Sequence, residues 1–163
     1  MAGWLNNEYE RWLSKKGITF DPSWHHYWND FLSECYPERL SLSTEVKQRC
    51  KRVSEYIKEK AINICNKHDI RNEEFVETMV RKFYDWEIER NILGSIRNGL
   101  ITNNPDEKII FNETIIWYKN MPLPSFNLYD ENDKKRIYFN NNKTNILSAV
   151  KEICEIEFTN IIN

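Results

Sequence analysis

Between Thr44 and Lys67 the apolar residues Val46, Cys50, Val53, Ile57, Ala61 and Ile64 recur at intervals of three and four. On a helix that spacing is a narrow stripe, close to the 3.5-residue period of a bundle seam. Such a seam needs other elements to cover it, so the stripe constrains the whole fold. Ser41 or Ser43 can cap this helix. Lys47, Lys51 and Lys58 line one flank of the stripe, and Arg49, Lys60 and Lys67 line the other. Their methylene stems can lie over apolar surface while the charges stay in water. Glu45, Glu55 and Glu59 fall toward the back.

The covering elements also read mainly as helices. The chain has only four glycines and five prolines, which suits long helices with few tight turns. Trp4 to Lys16 forms a first helix, with Leu5, Tyr9, Trp12 and Leu13 at helical spacing and Gly17 as its C-terminal cap. Asp21 is an N-cap and Pro22 a first-turn residue for a second helix running to Cys35. There Trp24, Tyr27, Trp28, Phe31, Leu32 and Cys35 share one arc about 140° wide, with His26 and Asp30 opposite. This aromatic face joins the first helix to the bundle. After the short connection 68–71, Asn72 caps a fourth helix with Glu73 and Glu74 at its positive end. Phe75, Val76, Met79, Val80, Phe83 and Trp86 lie on one side of it, and Ile88, Ile92 and Ile96 on another. Apolar residues spread this widely make it the expected buried centre, with Gly94 as a kink or stop.

Beyond Gly99 the pattern changes. Residues 103–106 form a turn. Lys108 to Tyr118 is β-branched and aromatic, and reads as a long strand or tight hairpin. Residues 121–135 form a proline-containing loop, and Arg136 to Phe139 a short strand. Thr144 caps a last helix to about Phe158, with Leu147, Val150, Cys154, Phe158 and Ile161 as its buried stripe, helped by Ile146 and Ile153. The expected fold is therefore α+β, predominantly α. It comprises a bundle of about five helices with a small antiparallel β-hairpin before the C-terminal helix. All of 1–163 forms one domain, with a helical part at 1–99 and the hairpin, loop and last helix at 100–163.

Composition narrows the function. Forty per cent of residues are hydrophobic and 13% aromatic, which argues against disorder. A net charge of −2 gives no global attraction to nucleic acid or acidic membranes. No run reaches the ~20 apolar residues that span a bilayer. The N-terminus lacks a basic-then-apolar leader pattern. The four cysteines, at 35, 50, 65 and 154, make no zinc-ligand spacing. They read as free thiols of an intracellular protein, cytoplasmic or nuclear, with Cys35, Cys50 and Cys154 as core residues. The sequons at Asn112 and Asn142 would then be unused. Frequent Asn, Ile and Lys match the codon bias of an A+T-rich genome, such as that of a virus, mobile element, insect or protist.

Catalytic patterns are sparse. There is no nucleophile elbow and no phosphate-binding glycine loop. His26 and Asp30 have the i,i+4 spacing that could share a metal, but no third ligand is evident nearby. His68-Asp69-Ile70 resembles the central dipeptide of the HD-domain metal phosphohydrolases. That resemblance implies a metal-dependent hydrolase using His26, His68 and Asp69. The same dipeptide also reads as a turn between two helices, with His68 near a helix C-terminal dipole. From Thr44 to Lys67 there are seven basic residues against three acidic ones, so Lys47, Lys51, Arg52 and Lys58 could contact phosphates. The aromatics, however, stand in apolar stripes rather than among the lysines.

The leading expectation is a non-enzymatic adaptor or inhibitor, virus- or mobile-element-encoded, that binds a protein. No cofactor, metal or membrane is implied. Trp4, Trp12, Met121, Leu123 and Phe126 are its candidate contacts, since exposed tryptophan and loop apolar residues serve as interface anchors. Nucleic-acid binding through 44–67 and an HD-like hydrolase are the alternatives.

Overall fold

The computed structural model describes residues 3–18, 26–120 and 132–159. Among these the secondary structure is helical throughout: α1 (Gly3–Lys15), α2 (Trp28–Cys35), α3 (Thr44–Lys67), α4 (Glu73–Val80), α5 (Asp85–Arg97), α6 (Glu107–Asn120), α7 (Lys134–Asn141) and α8 (Lys143–Cys154). Short 3-10 turns at Pro37–Arg39 and Arg81–Phe83 complete it.

The hub is α3. The Ser43 hydroxyl accepts from the Val46 N–H at its start (3.2 Å), and all six stripe residues are buried. It packs against α4, α5, α6 and α8. The expected third helix is thus borne out in both bounds and face, with Ser54 and Cys65 as further buried members.

Three helices end in the same way. At Gly17, Asp69 and Gly99 the backbone takes a positive φ of 76°, 60° and 72°. The next residue then donates back across the turn: Ile18 to Leu13 (3.0 Å), Ile70 to Cys65 (2.9 Å) and Leu100 to Ser95 (2.9 Å). This closure satisfies carbonyls that a helix end leaves orphaned. Ile70 is fully buried, so the closure after α3 also plants an apolar residue beneath the helix end.

The α+β expectation is corrected: no β-hairpin or strand occurs among the described residues. Lys108 to Tyr118 lies inside α6 and Arg136 to Phe139 inside α7. In α6 the buried positions are Glu107, Ile110, Phe111, Thr114, Ile115 and Tyr118. Adjacent pairs of buried residues repeating every four positions are helical, not alternating. Asp106 caps the helix through the Ile109 N–H (2.9 Å). Burial against α3 and α5 outweighs the modest helix penalty of β-branched residues.

The expected fourth helix is two helices. The chain breaks at Tyr84, which is extended (φ −64°, ψ 145°), while Gly94 lies unbroken within α5. The break turns Trp86 outward, 53% exposed, although its expected place was the core. The buried centre is therefore α3, not this segment. Leu147 is likewise 44% exposed rather than buried, because α8 turns Ile146, Ala149, Val150 and Ile153 inward. In α2 only Trp28, Phe31 and Leu32 are buried, and Cys35 faces solvent. The expected cap Asp21 and first-turn Pro22, with Trp24 and Ile161, lie outside the described residues.

Two apolar clusters result among the described residues. The larger surrounds α3. The smaller joins α1 and α2 through Leu5, Tyr9, Trp28, Phe31 and Leu32.

Candidate interaction surface

The smaller cluster is rich in aromatic side chains; Trp12 packs against it, whereas Trp4 lies outside it and meets its rim residue Tyr36. Tyr9 and Phe31 are fully buried at its centre. Trp28 meets Tyr9 edge-on, with ring centroids 4.9 Å apart. Such edge-to-face pairs contribute ~0.5–1.5 kcal/mol beyond the area they bury. The Trp28 indole N–H reaches out of the cluster to donate to the Arg97 carbonyl at the end of α5 (3.0 Å). Arg97 in turn donates to the Asn29 side chain. These bonds fasten the α1–α2 hairpin to the bundle, so the expected joining role of this aromatic face holds for Trp28.

A second fastening is Arg39. It is nearly buried, and its guanidinium donates to the Ile96 carbonyl (2.6 Å) and more weakly to that of Ile101 (3.4 Å). Its planar head lies 5.3 Å from the centre of the Trp4 ring. Tyr36 meets the same ring edge-on at 5.8 Å. Trp4 is thus held between a fixed cation and a tyrosine, yet remains 50% exposed. Leu100, the chain neighbour of Ile101, is exposed to the same extent.

Trp12 is placed differently. It is half-buried beside Tyr9 and Phe31, and its indole N–H donates to Glu34 Oε2 (3.0 Å). That bond, then the Lys16 ammonium, lowers the Glu34 carboxyl pKa. The polar handle of Trp12 is thus already used within the hairpin. Met121, Leu123 and Phe126 lie outside the described residues.

The four cations proposed for phosphate contact do not act as a set. Lys47 and Lys51 are exposed on α3. Arg52 donates to Glu107 Oε1 (2.5 Å), and that carboxylate is 6% exposed at the start of α6. Lys58 sits over the Tyr84 ring at 5.3 Å. Two of the four therefore tie α3 to its neighbours. Arg49 does the same, donating to the Asn104 side chain (2.7 Å) and the Pro105 carbonyl (3.0 Å).

His68 and Asp69 form the C-terminal cap of α3. His68 Nε2 lies 3.0 Å from Glu152 Oε1 on α8, beside the Lys67 ammonium. The His68 and Lys67 contacts lower the Glu152 carboxyl pKa. Asp69 is exposed and pairs with Arg71 (3.2 Å). His26 is exposed in the turn before α2, packed edge-on against Tyr27, so it does not share a helical face with Asp30. No group of three or more His, Cys, Asp or Glu side chains that could hold a metal ion occurs among the described residues.

Cys50 and Cys65, and in part Cys154, are shielded rather than activated, while Cys35 is exposed. Burial pushes Cys50 up to about 12 and Cys65 up to about 11, and also raises Cys154. A low fraction of thiolate makes a poor nucleophile. No described helix is long and apolar enough to cross a membrane.

Sequence reasoning missed Arg39. A basic residue after Pro37-Glu38 in a turn gives no periodic signal, and its carbonyl partners are 57 and 62 positions away. Comparison with models of known families, with curated proteins and with solved structures found no match.

Proposed function

We propose that this chain is a non-catalytic interaction protein that binds a protein partner through the α1–α2 hairpin, in the manner of an adaptor or inhibitor. The observation that carries this reading is Trp4. Half of an indole is presented to solvent while the rest is immobilised by Tyr36 and by an Arg39 whose position is itself fixed. A preordered aromatic anchor loses little side-chain entropy on binding, which is why tryptophan and arginine concentrate in interface hot spots. Leu100, adjacent in the chain to the Ile101 whose carbonyl Arg39 contacts, is also half exposed.

The test compares capture by tagged wild-type chain and by Trp4→Ala from extract of the native or host cell. A Trp4 anchor at an interface centre is worth ~2 kcal/mol or more, so the variant should retain at least about twentyfold less partner. The variant's melting temperature should stay close to that of the wild type. Equal recovery by both chains would place the contact elsewhere. Recovery that disappears on nuclease treatment and falls steeply with salt would favour nucleic-acid binding through the exposed Lys47 and Lys51 instead.

A further inference from the structure

A different face of the bundle carries a cleft with a definite chemical character. It lies between α5 and α6 and encloses about 200 Å³. Small-molecule sites usually occupy ~300–1,000 Å³, so this cleft suits a head group or one side chain rather than a whole cofactor. The helices run in opposite directions here: Phe83, just before α5, lies against Tyr118 near the end of α6, the two rings tilted with centroids 4.7 Å apart. Asn91 and Ser95 on α5 then face Glu113 and Trp117 on α6.

The lining is rich in acceptors. Glu113 is its one charged residue among the described residues. Glu113 is half-buried and has no ion pair or hydrogen bond among the described residues. Asn91 donates one of its two amide N–H groups to the Glu87 carbonyl (2.8 Å), and its side-chain oxygen is left to accept from a guest. Thr114 likewise spends its hydroxyl proton on the Ile110 carbonyl (2.7 Å). Ser95 offers a hydroxyl. Trp117, one helical turn from Glu113, supplies an indole wall. A carboxylate beside an indole is the pairing that recognises organic cations, since the ring face attracts positive charge and the carboxylate accepts its N–H groups. Two other surface grooves lined by described residues lack this character. The one between α3 and α4 mixes Lys58 and Arg71 with Glu73 and Glu77. The one at the start of α3 has Glu38 and Glu45 but no aromatic wall.

We propose that the α5–α6 cleft binds a guanidinium or alkylammonium head group, with Glu113 as its counter-ion and Trp117 as its stacking surface. The site is separate from Trp4, so either can fail without the other.

The test follows the Trp117 indole N–H resonance in 15N-labelled protein, assigned by its loss in Trp117→Phe. Two probes are titrated, N-acetyl-arginine methylamide and agmatine, with sodium chloride at matched ionic strength as control. Both guanidinium compounds should shift the resonance saturably while sodium chloride does not. Glu113→Gln, whose retained fold is read by circular dichroism, should weaken binding at least about tenfold. Equal affinity for the two probes shows that the cleft reads the guanidinium alone, and tighter binding of N-acetyl-arginine methylamide identifies a protein side chain as the guest. A preference for agmatine identifies a free amine. The proposal is overturned if no saturable shift appears at millimolar probe, or if Glu113→Gln binds as the wild type does.

Discussion

Asp69 is the residue at which backbone cost and sequence motif meet. It is the one described non-glycine residue with positive φ. A left-handed conformation costs an L-residue roughly 1–2 kcal/mol, less for Asp or Asn, whereas glycine adopts it freely. The Asp69–Arg71 pair offsets little, because both side chains are about three-quarters exposed. Asp69→Gly should therefore raise unfolding free energy by ~0.5–1 kcal/mol in urea melts, and Asp69→Val should lower it by at least as much. If Asp69 served instead as a catalytic ligand, its replacement would abolish metal-dependent turnover with no such gain in stability. The resemblance of His68-Asp69-Ile70 to a hydrolase motif was legible in the sequence, and so was the turn. Only the positive φ and the Ile70-to-Cys65 bond show that this dipeptide closes a helix.

At the level of elements, legibility followed the strength of the periodic signal. The seam of α3 and the caps Gly17 and Asn72 could be read directly, because each is a local pattern with one geometry that satisfies it, whereas the sequence alone allows either Ser41 or Ser43 as the α3 cap and the structure selects Ser43. The composition of α6 pointed the other way: isoleucine, threonine, phenylalanine, tryptophan and tyrosine are strand formers by preference. Its Ile110-Phe111 and Thr114-Ile115 pairs held the helical period, and the Asp106 cap held the start. Tyr84 was illegible for a different reason. No proline or glycine marks the break between α4 and α5, so only tertiary packing divides them. The aromatic hairpin was partly legible: its apolar face showed, but not that Trp4 would rest on Arg39. Helical α6 predicts that Ile110→Ala and Phe111→Ala both destabilise strongly, by about 2–5 kcal/mol, because both side chains are buried. Exposed Asn112→Ala should stay within about 0.5 kcal/mol. A strand with one buried face would spare either Ile110 or Phe111, and chemical denaturation of the three variants distinguishes the two cases.

Across the molecule, buried acids set the response to alkali. The ordinary values are 9.0 for the Cys50 and Cys65 thiols and 10.0 for the Tyr118 phenol, and burial raises all three in the folded chain. Each contributes stability that is fully present below its unfolded value and is lost as pH rises toward its folded one. The loss therefore begins near pH 9 and continues to about 11 for Cys65 and about 12 for Cys50. Lys82 acts in the opposite sense, because burial lowers the pKa of its amine and folding gains as that amine deprotonates. Urea melts between pH 8 and pH 11 should show a net decline, and Cys50→Ala should flatten it. An unchanged slope in that variant would show that Cys50 does not hold its proton in the fold.

The functional reading rests on an anchor that is ordered before any partner arrives. Asn7 is exposed on α1, one helical turn from Trp4. The most direct test places a benzophenone amino acid at Asn7 and irradiates the chain in its native or host cell. A Trp4-centred interface predicts a discrete protein adduct that is lost in the Trp4→Ala background and absent when the crosslinker is placed at Glu55, an exposed residue of α3. No adduct at Asn7, or an adduct that survives Trp4→Ala unchanged, would contradict it.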